Sequence, residues 1–124
     1  MRTDSLRLSD TALKQAYEFI KSNYSKEYLP QTPQQYEKKK KKEAAAATQD
    51  AHEAIRPIDV YITPEKVSRY VTADLAKLYE LIWKRFVACQ MNPALYAQRQ
   101  VSIKGGIYGF KATGSTLLFD GFLK

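Results

Sequence analysis

Two short stretches hold residues whose types suit phosphate chemistry: Arg2, Thr3, Asp4 and Ser5 near the start, and His52, Glu53 and Arg56 further on. An arginine guanidinium presents a planar fork of donors that matches phosphate oxygens, and Thr, Ser and backbone amides near a helix start add neutral donors. His52 and Arg56 stand four apart, so on a helix they share a face and together suit contact with a phosphate or a base. The same residues admit a purely structural reading. In it Asp4 pairs with Arg2, Glu53 pairs with Arg56, and His52 is a satisfied surface histidine. From residue types and spacing alone, both readings stand.

Other chemistries lack partners. His52-Glu53 resembles the opening of a metalloprotease helix, but the chain has a single histidine, so that reading fails. Cys89 is the only cysteine, which excludes an intrachain disulfide and a cysteine zinc cage. Beside Phe86 on an apolar helix face, it reads as a small hydrophobe rather than a nucleophile. Trp83, Phe86 and the tyrosines have faces on which bases can stack, yet at helical spacing they read as core. Gly105-Gly106 lacks the sequence context of a phosphate cradle and reads as a hairpin turn.

The elements that position these residues follow from periodicity. A helix is predicted over about Thr11–Tyr24, with Leu13, Tyr17, Ile20 and Tyr24 on its buried face and Ser9 or Asp10 as N-cap. Pro30 ends the ordered stretch. A flexible basic loop is expected over residues 31–48, because Lys38 to Lys42 repel one another. A short helix is predicted over Gln49–Arg56, stopped by Pro57, then an extended connector Asp59–Thr63. Thr63-Pro64-Glu65 starts another short helix. A long helix is predicted from Thr72 or Ala73 to Met91, burying Leu75, Leu78, Ile82, Phe86 and Cys89, with Leu81 and Trp83 widening the stripe. After Pro93 the period changes to that of strands. Tyr96–Ile103, Ile107–Thr113 and Thr116–Phe119 are predicted as three strands, separated by turns at Gly105-Gly106 and Gly114-Ser115.

The fold class is therefore mainly α, α+β overall: a helical domain over residues 1–93 with the loop 31–48, and a β segment over residues 94–124. The 124 residues carry 20 Lys+Arg against 13 Asp+Glu, a net +7, and 44% are hydrophobic, enough for an ordinary core. Five lysines against Glu37 and Glu43 put +3 of that excess into residues 31–47. The balance favours a polyanionic partner, while exposed lysines in a loop also serve solubility. No apolar run approaches the ~20 residues of a spanning helix, so no membrane role is expected. The polar opening that leads straight into a helix, and strands with little sheet to complete, suggest a piece of a larger protein.

Three motifs, in order, carry a resemblance to one family. Met1-Arg-Thr-Asp-Ser5 is similar to the active-site segment of bacterial type IA DNA topoisomerases, which reads Tyr-Met-Arg-Thr-Asp-Ser. Ala51-His-Glu-Ala-Ile-Arg-Pro57 is similar to the family's second signature. Leu78-Tyr-Glu-Leu-Ile-Trp-Lys-Arg-Phe-Val-Ala-Cys-Gln-Met91 resembles the long helix that follows it. Gly114 and Phe119-Asp120-Gly121-Phe122 resemble the arch region returning from that domain. The lysine run has no match in the family pattern.

The resemblance implies a helical gate domain, with some likeness to winged-helix modules, followed by the start of an arch domain. It implies a parent enzyme that relaxes negatively supercoiled DNA, cutting one strand through a 5′-phosphotyrosine link and passing another through the gap. The nucleophilic tyrosine is expected immediately before Met1. The Mg2+-binding Toprim domain is expected outside this chain, which itself needs no cofactor. The isolated chain is thus expected to bind or position single-stranded DNA without cleaving it. Carried over residue by residue, Arg2 would neutralise the scissile phosphate. His52 would position the strand or move a proton. Asp4 would orient neighbours, Arg56 would buttress the site or touch the backbone, and Thr3 and Ser5 belong to the same DNA-binding segment. The implied partners are single-stranded DNA and the remaining domains of the parent, with self-association through exposed strand edges as a further expectation. The implied setting is the bacterial cytoplasm, at the nucleoid. Two alternatives stand beside this reading: a stand-alone single-stranded DNA binder or winged-helix regulator, and a helical protein-interaction module.

Overall fold

A computed structural model describes residue 1, residues 3–30 and residues 52–124. Arg2, the loop 31–48 with Lys38 to Lys42, and residues 49–51 of the predicted short helix lie outside the described residues.

Helix α1 spans Asp10–Asn23, and Ser9 caps it by accepting from the Ala12 amide at 3.4 Å. Its buried face is Ala12, Ala16, Phe19 and Ile20, while Leu13, Tyr17 and Tyr24 flank it. Alanines set this face because their small side chains let the neighbouring segment approach closely, which a reading by hydrophobic bulk overlooks. A single 3-10 turn, Lys26–Tyr28, follows.

The predicted helix ending at Arg56 is not there among the described residues, since residues 52–56 are irregular. The Ala54 amide donates instead to the Arg7 carbonyl at 2.8 Å. A tertiary bond thus takes the donor that a helix would have used locally. Residues 59–63 form a turn rather than an extended connector, with the Ile62 amide donating to the Asp59 carbonyl at 3.3 Å. Asp59 holds that turn and ties it to α1, accepting from Tyr61 N at 2.9 Å and from Gln15 Nε2 at 2.8 Å. Helix α2, Pro64–Val67, begins after Thr63 with Pro64 in the first turn, where its missing N–H leaves no bond unmade.

Helix α3 spans Ala73–Ala88. Trp83, Phe86, Val87, Gln90 and Met91 are buried on this helix and its C-terminal extension, with Tyr79 packed against them. Leu75, Leu78 and Leu81 are exposed, contrary to the predicted stripe. The apolar arc of α3 is wider than the face its neighbours cover, and the face turned inward is the one centred on Trp83. The Trp83 indole donates to the Val60 carbonyl at 2.8 Å, and the Tyr79 hydroxyl to the Ile62 carbonyl at 2.7 Å. Phe19 stands edge-on to both Trp83 and Tyr61, ring centroids 5.5 Å apart in each pair. The core is thus α1 against α3 with the 57–63 segment pinned between them.

Strand β1, Leu95–Gly105, pairs antiparallel with β2, Tyr108–Phe119. There are two strands among the described residues, not three. Gly114 pairs with Arg99 inside the ladder, and Gly106, at φ 60°, makes the only turn of the ribbon. Both faces are exposed along nearly the full length. Register places Val101 opposite Ala112 and Ile103 opposite Phe110, an apolar face. Gln100 opposite Thr113 and Ser102 opposite Lys111 form the polar one.

The ribbon joins the helical body at its base. Asn92 Nδ2 donates to the Glu27 and Leu29 carbonyls, the Asn92 amide to the Tyr28 carbonyl, and the Phe122 amide to the Asn92 carbonyl. The Tyr28 ring packs on Phe119 and its hydroxyl donates to Asp120 Oδ1 at 2.8 Å.

Candidate nucleic-acid interface

The segment before α1 and the irregular segment after residue 51 lie side by side. Hydrogen bonds join them: the Ser5 hydroxyl donates to the His52 carbonyl at 2.7 Å, and the Ala54 amide to the Arg7 carbonyl at 2.8 Å. Between these bonds the imidazole faces Asp4, Nδ1 lying 3.6 Å from Oδ2. That separation is too long for a direct hydrogen bond. The His52 side chain is 22% exposed and that of Asp4 55%, so the pair sits at a surface.

Glu53 and Arg56 form a closer pair. Nη2 donates to Oε2 at 2.8 Å, with the two side chains 14% (Arg56) and 21% (Glu53) exposed. Nη1 turns back onto the Pro57 carbonyl at 3.1 Å and the Ile58 carbonyl at 3.5 Å. Burial is the largest influence on the Glu53 carboxyl and acts to raise it. Ser9 and Arg56 together outweigh burial and hold the carboxyl below its usual range. Ser9 favours the ionised form from close by, although among the described residues Oε1 has no partner in hydrogen-bonding geometry, nor has Arg56 Nε.

The residues singled out in the sequence thus fall into two groups. Asp4, Ser5 and His52 come together at one surface, and Thr3 is exposed beside them. Arg56 sits behind them with most of its donors already engaged within the chain. His52 and Arg56 do not share a helical face, because no helix forms there. The Ala54–Arg7 link that aligns the segments left no signal in the sequence, since it joins backbone to backbone. Ser9 was legible as an N-cap but not as a neighbour of Glu53.

Among the described residues, no group of three His, Cys, Asp or Glu side chains is placed to hold a metal ion. Among the described residues, Asp4 and His52 have no third such side chain beside them. Among the described residues, no helix is long and apolar enough to cross a membrane.

A sequence model of a family described as DNA topoisomerase matches residues 1–124. The chain is 48% identical over its full length to DNA topoisomerase 1 of Fervidobacterium islandicum, of which it covers 18%. It is 44% identical over its full length to DNA topoisomerase 1 of Escherichia coli strain K12, of which it covers 14%. Among solved structures, full-length topoisomerase I from Thermotoga maritima superposes with a TM-score of 0.77 at 40% identity, over 98% of this chain and 18% of that one. The chain therefore spans less than a fifth of the length of these relatives.

Proposed function

The chain belongs to the bacterial type IA DNA topoisomerase family, and on that premise we propose that it supplies part of the strand-cleavage site of a parent enzyme that relaxes negatively supercoiled DNA. The observation that carries this reading is the surface formed by Asp4, Ser5 and His52, two sequence-distant motifs of one family brought within bonding distance. In this reading the nucleophilic tyrosine directly precedes Met1 in the parent and becomes linked to the 5′-phosphate. Arg2 neutralises the scissile phosphate as charge builds on it. His52 touches the strand beside the cut, through the ring edge that Asp4 does not face. Asp4 holds the ring, Ser5 holds its backbone, and Thr3 offers an exposed hydroxyl to the DNA.

Arg56 serves from behind, as a buttress. The +7 charge assists approach of the polyanion. Magnesium, where the parent uses it, belongs to a Toprim domain elsewhere in that protein, and no step here runs through it. We also propose the division into a helical gate domain with winged-helix likeness over 1–93 and an arch segment over 94–124, the exposed ribbon being the part that other domains cover. Cytoplasmic location at the nucleoid follows from the substrate.

Plasmid relaxation tests the proposal. With Mg2+, the isolated chain is expected to leave supercoiled plasmid unchanged, and the parent carrying Arg2→Ala or His52→Ala to relax it more slowly than the unaltered parent. Relaxation by the isolated chain would refute the assigned division of labour, and full-rate relaxation by both variants would refute the assigned residues.

A further inference from the structure

Next to His52 in the chain is a charged pair whose carboxylate, Glu53, the proposed function leaves without a role. Glu53 and Arg56 are mostly buried, each retains one buried polar atom without a hydrogen-bond partner among the described residues, and their link is 2.8 Å long. Burying two charges for stability alone is a poor arrangement, because desolvation cancels much of the attraction. Such pairs are better at fixing one geometry, and the geometry fixed here is that of the turn carrying His52. Glu53 anchors the guanidinium at one end, while the Pro57 and Ile58 carbonyls receive it at the other, so residues 53–58 wrap around Arg56. His52 is the residue immediately before this wrapped turn. Its backbone carbonyl is held from the opposite side by Ser5.

We infer that Glu53 is a positioning residue for His52: through Arg56 it sets the turn that presents the imidazole to Asp4 and to the DNA. This rests on the reading of His52 as a strand-contacting residue. The Glu53 carboxylate, kept ionised by Ser9 and Arg56 against the pull of burial, supplies the anion at the centre of the turn. Without that charge the guanidinium is left half-buried and uncompensated, and residues 52–58 relax to rehydrate it. A displacement of about 1 Å at His52 is enough to lower a cleavage rate by about 10- to 100-fold.

The test uses the full-length parent with a single-stranded oligonucleotide, measuring the rate of covalent complex formation at saturating DNA, the affinity, and the thermal midpoint. Glu53→Gln is expected to lower the cleavage rate by about 10- to 100-fold while affinity falls far less and the midpoint is kept, and Glu53→Asp to restore part of the rate. Arg56→Lys, which keeps the charge and loses the fork, is expected to show the same selective loss and serves if Glu53→Gln does not fold. Cleavage at the parental rate in Glu53→Gln overturns the inference, as does a parallel fall of rate, affinity and midpoint, the signature of a structural role alone. His52→Ala runs alongside. If it cleaves at full rate, the reading of His52 fails and this inference with it. If it loses cleavage while Glu53→Gln does not, only the role of Glu53 falls.

Discussion

Gly121→Ala is the substitution with the sharpest expected cost. Gly121 sits at φ +51°, in the left-handed region that a side chain disfavours by about 1–2 kcal/mol. A Cβ there would stand 2.5 Å from the Asn92 carbonyl oxygen and 2.6 Å from both the carbonyl carbon and oxygen of Pro93. All three are backbone atoms, so no side chain can swing away to make room. The carbonyl that must retreat is the one accepting from Phe122 N at 3.0 Å, a bond worth about 1 kcal/mol net. The combined loss is therefore about 2–3 kcal/mol. With a urea slope of about 1–3 kcal/mol per M, the unfolding midpoint should fall by about 0.7–3 M. Gly114→Ala is the matched control. It has nothing within 4 Å of its added Cβ and sits in the ladder opposite Arg99, so it should be neutral or stabilising by about 0.5 kcal/mol. An unchanged midpoint for Gly121→Ala, or a large loss for Gly114→Ala, would refute the reasoning about where the chain turns tightly.

Three further outcomes are expected. The Tyr28 hydroxyl bond, as the main cause, holds Asp120 below its usual range, and the same bond raises Tyr28. The Asp120 contribution is then present above about pH 4 and lost as pH falls through its lowered value, while that of Tyr28 is complete below about pH 10 and lost as pH rises through its raised one. Protection of the Phe122 and Asn92 amides, relative to the exchange of an unstructured peptide at the same pH, should fall at both extremes, and Tyr28→Phe should remove that dependence; a pH-independent protection factor in the unaltered chain contradicts it. Gln90 is fully buried, and among the described residues neither of its amide atoms has a hydrogen-bond partner. Gln90→Met should therefore stabilise the chain by about 1–3 kcal/mol in thermal unfolding, and a lower midpoint would show that the amide is satisfied. The apolar ribbon face, with Ile103 and Phe110 more than half exposed, should drive self-association of the isolated chain. Ile103→Lys should weaken it by about tenfold or more in sedimentation, whereas a monomeric unaltered chain at high concentration would remove the basis for it.

Local chemistry was legible where it acts locally. Ser9 as N-cap, Pro64 in the first turn of α2 and the span of α3 follow from propensity and period, and the structure has them within a few residues. The errors arose where a tertiary partner overrode the local pattern. Residues 52–56 read as helical until Ala54 gives its amide to Arg7. Leu75 and Leu78 read as core until Trp83, bonded to Val60, fixes which side of α3 turns inward. Gly114-Ser115 reads as a turn because glycine permits one, but a tight hairpin turn needs a left-handed φ, and in the ribbon that φ occurs at Gly106. The candidate site was legible as two motifs with a family likeness. That Asp4 faces His52, and that Ser5 spends its hydroxyl on the His52 carbonyl, depends on the alignment of segments 47 residues apart.

The most direct measurement is a titration of labelled single-stranded oligonucleotide with this chain at low and moderate salt, beside His52→Ala and Arg2→Ala. The account predicts salt-sensitive binding that both substitutions weaken, with the log–log salt slope falling by about 0.7 when Arg2 loses its phosphate contact. Absent binding, or binding unchanged in both variants, would contradict the placement of a DNA-contacting site at the Asp4–His52 surface.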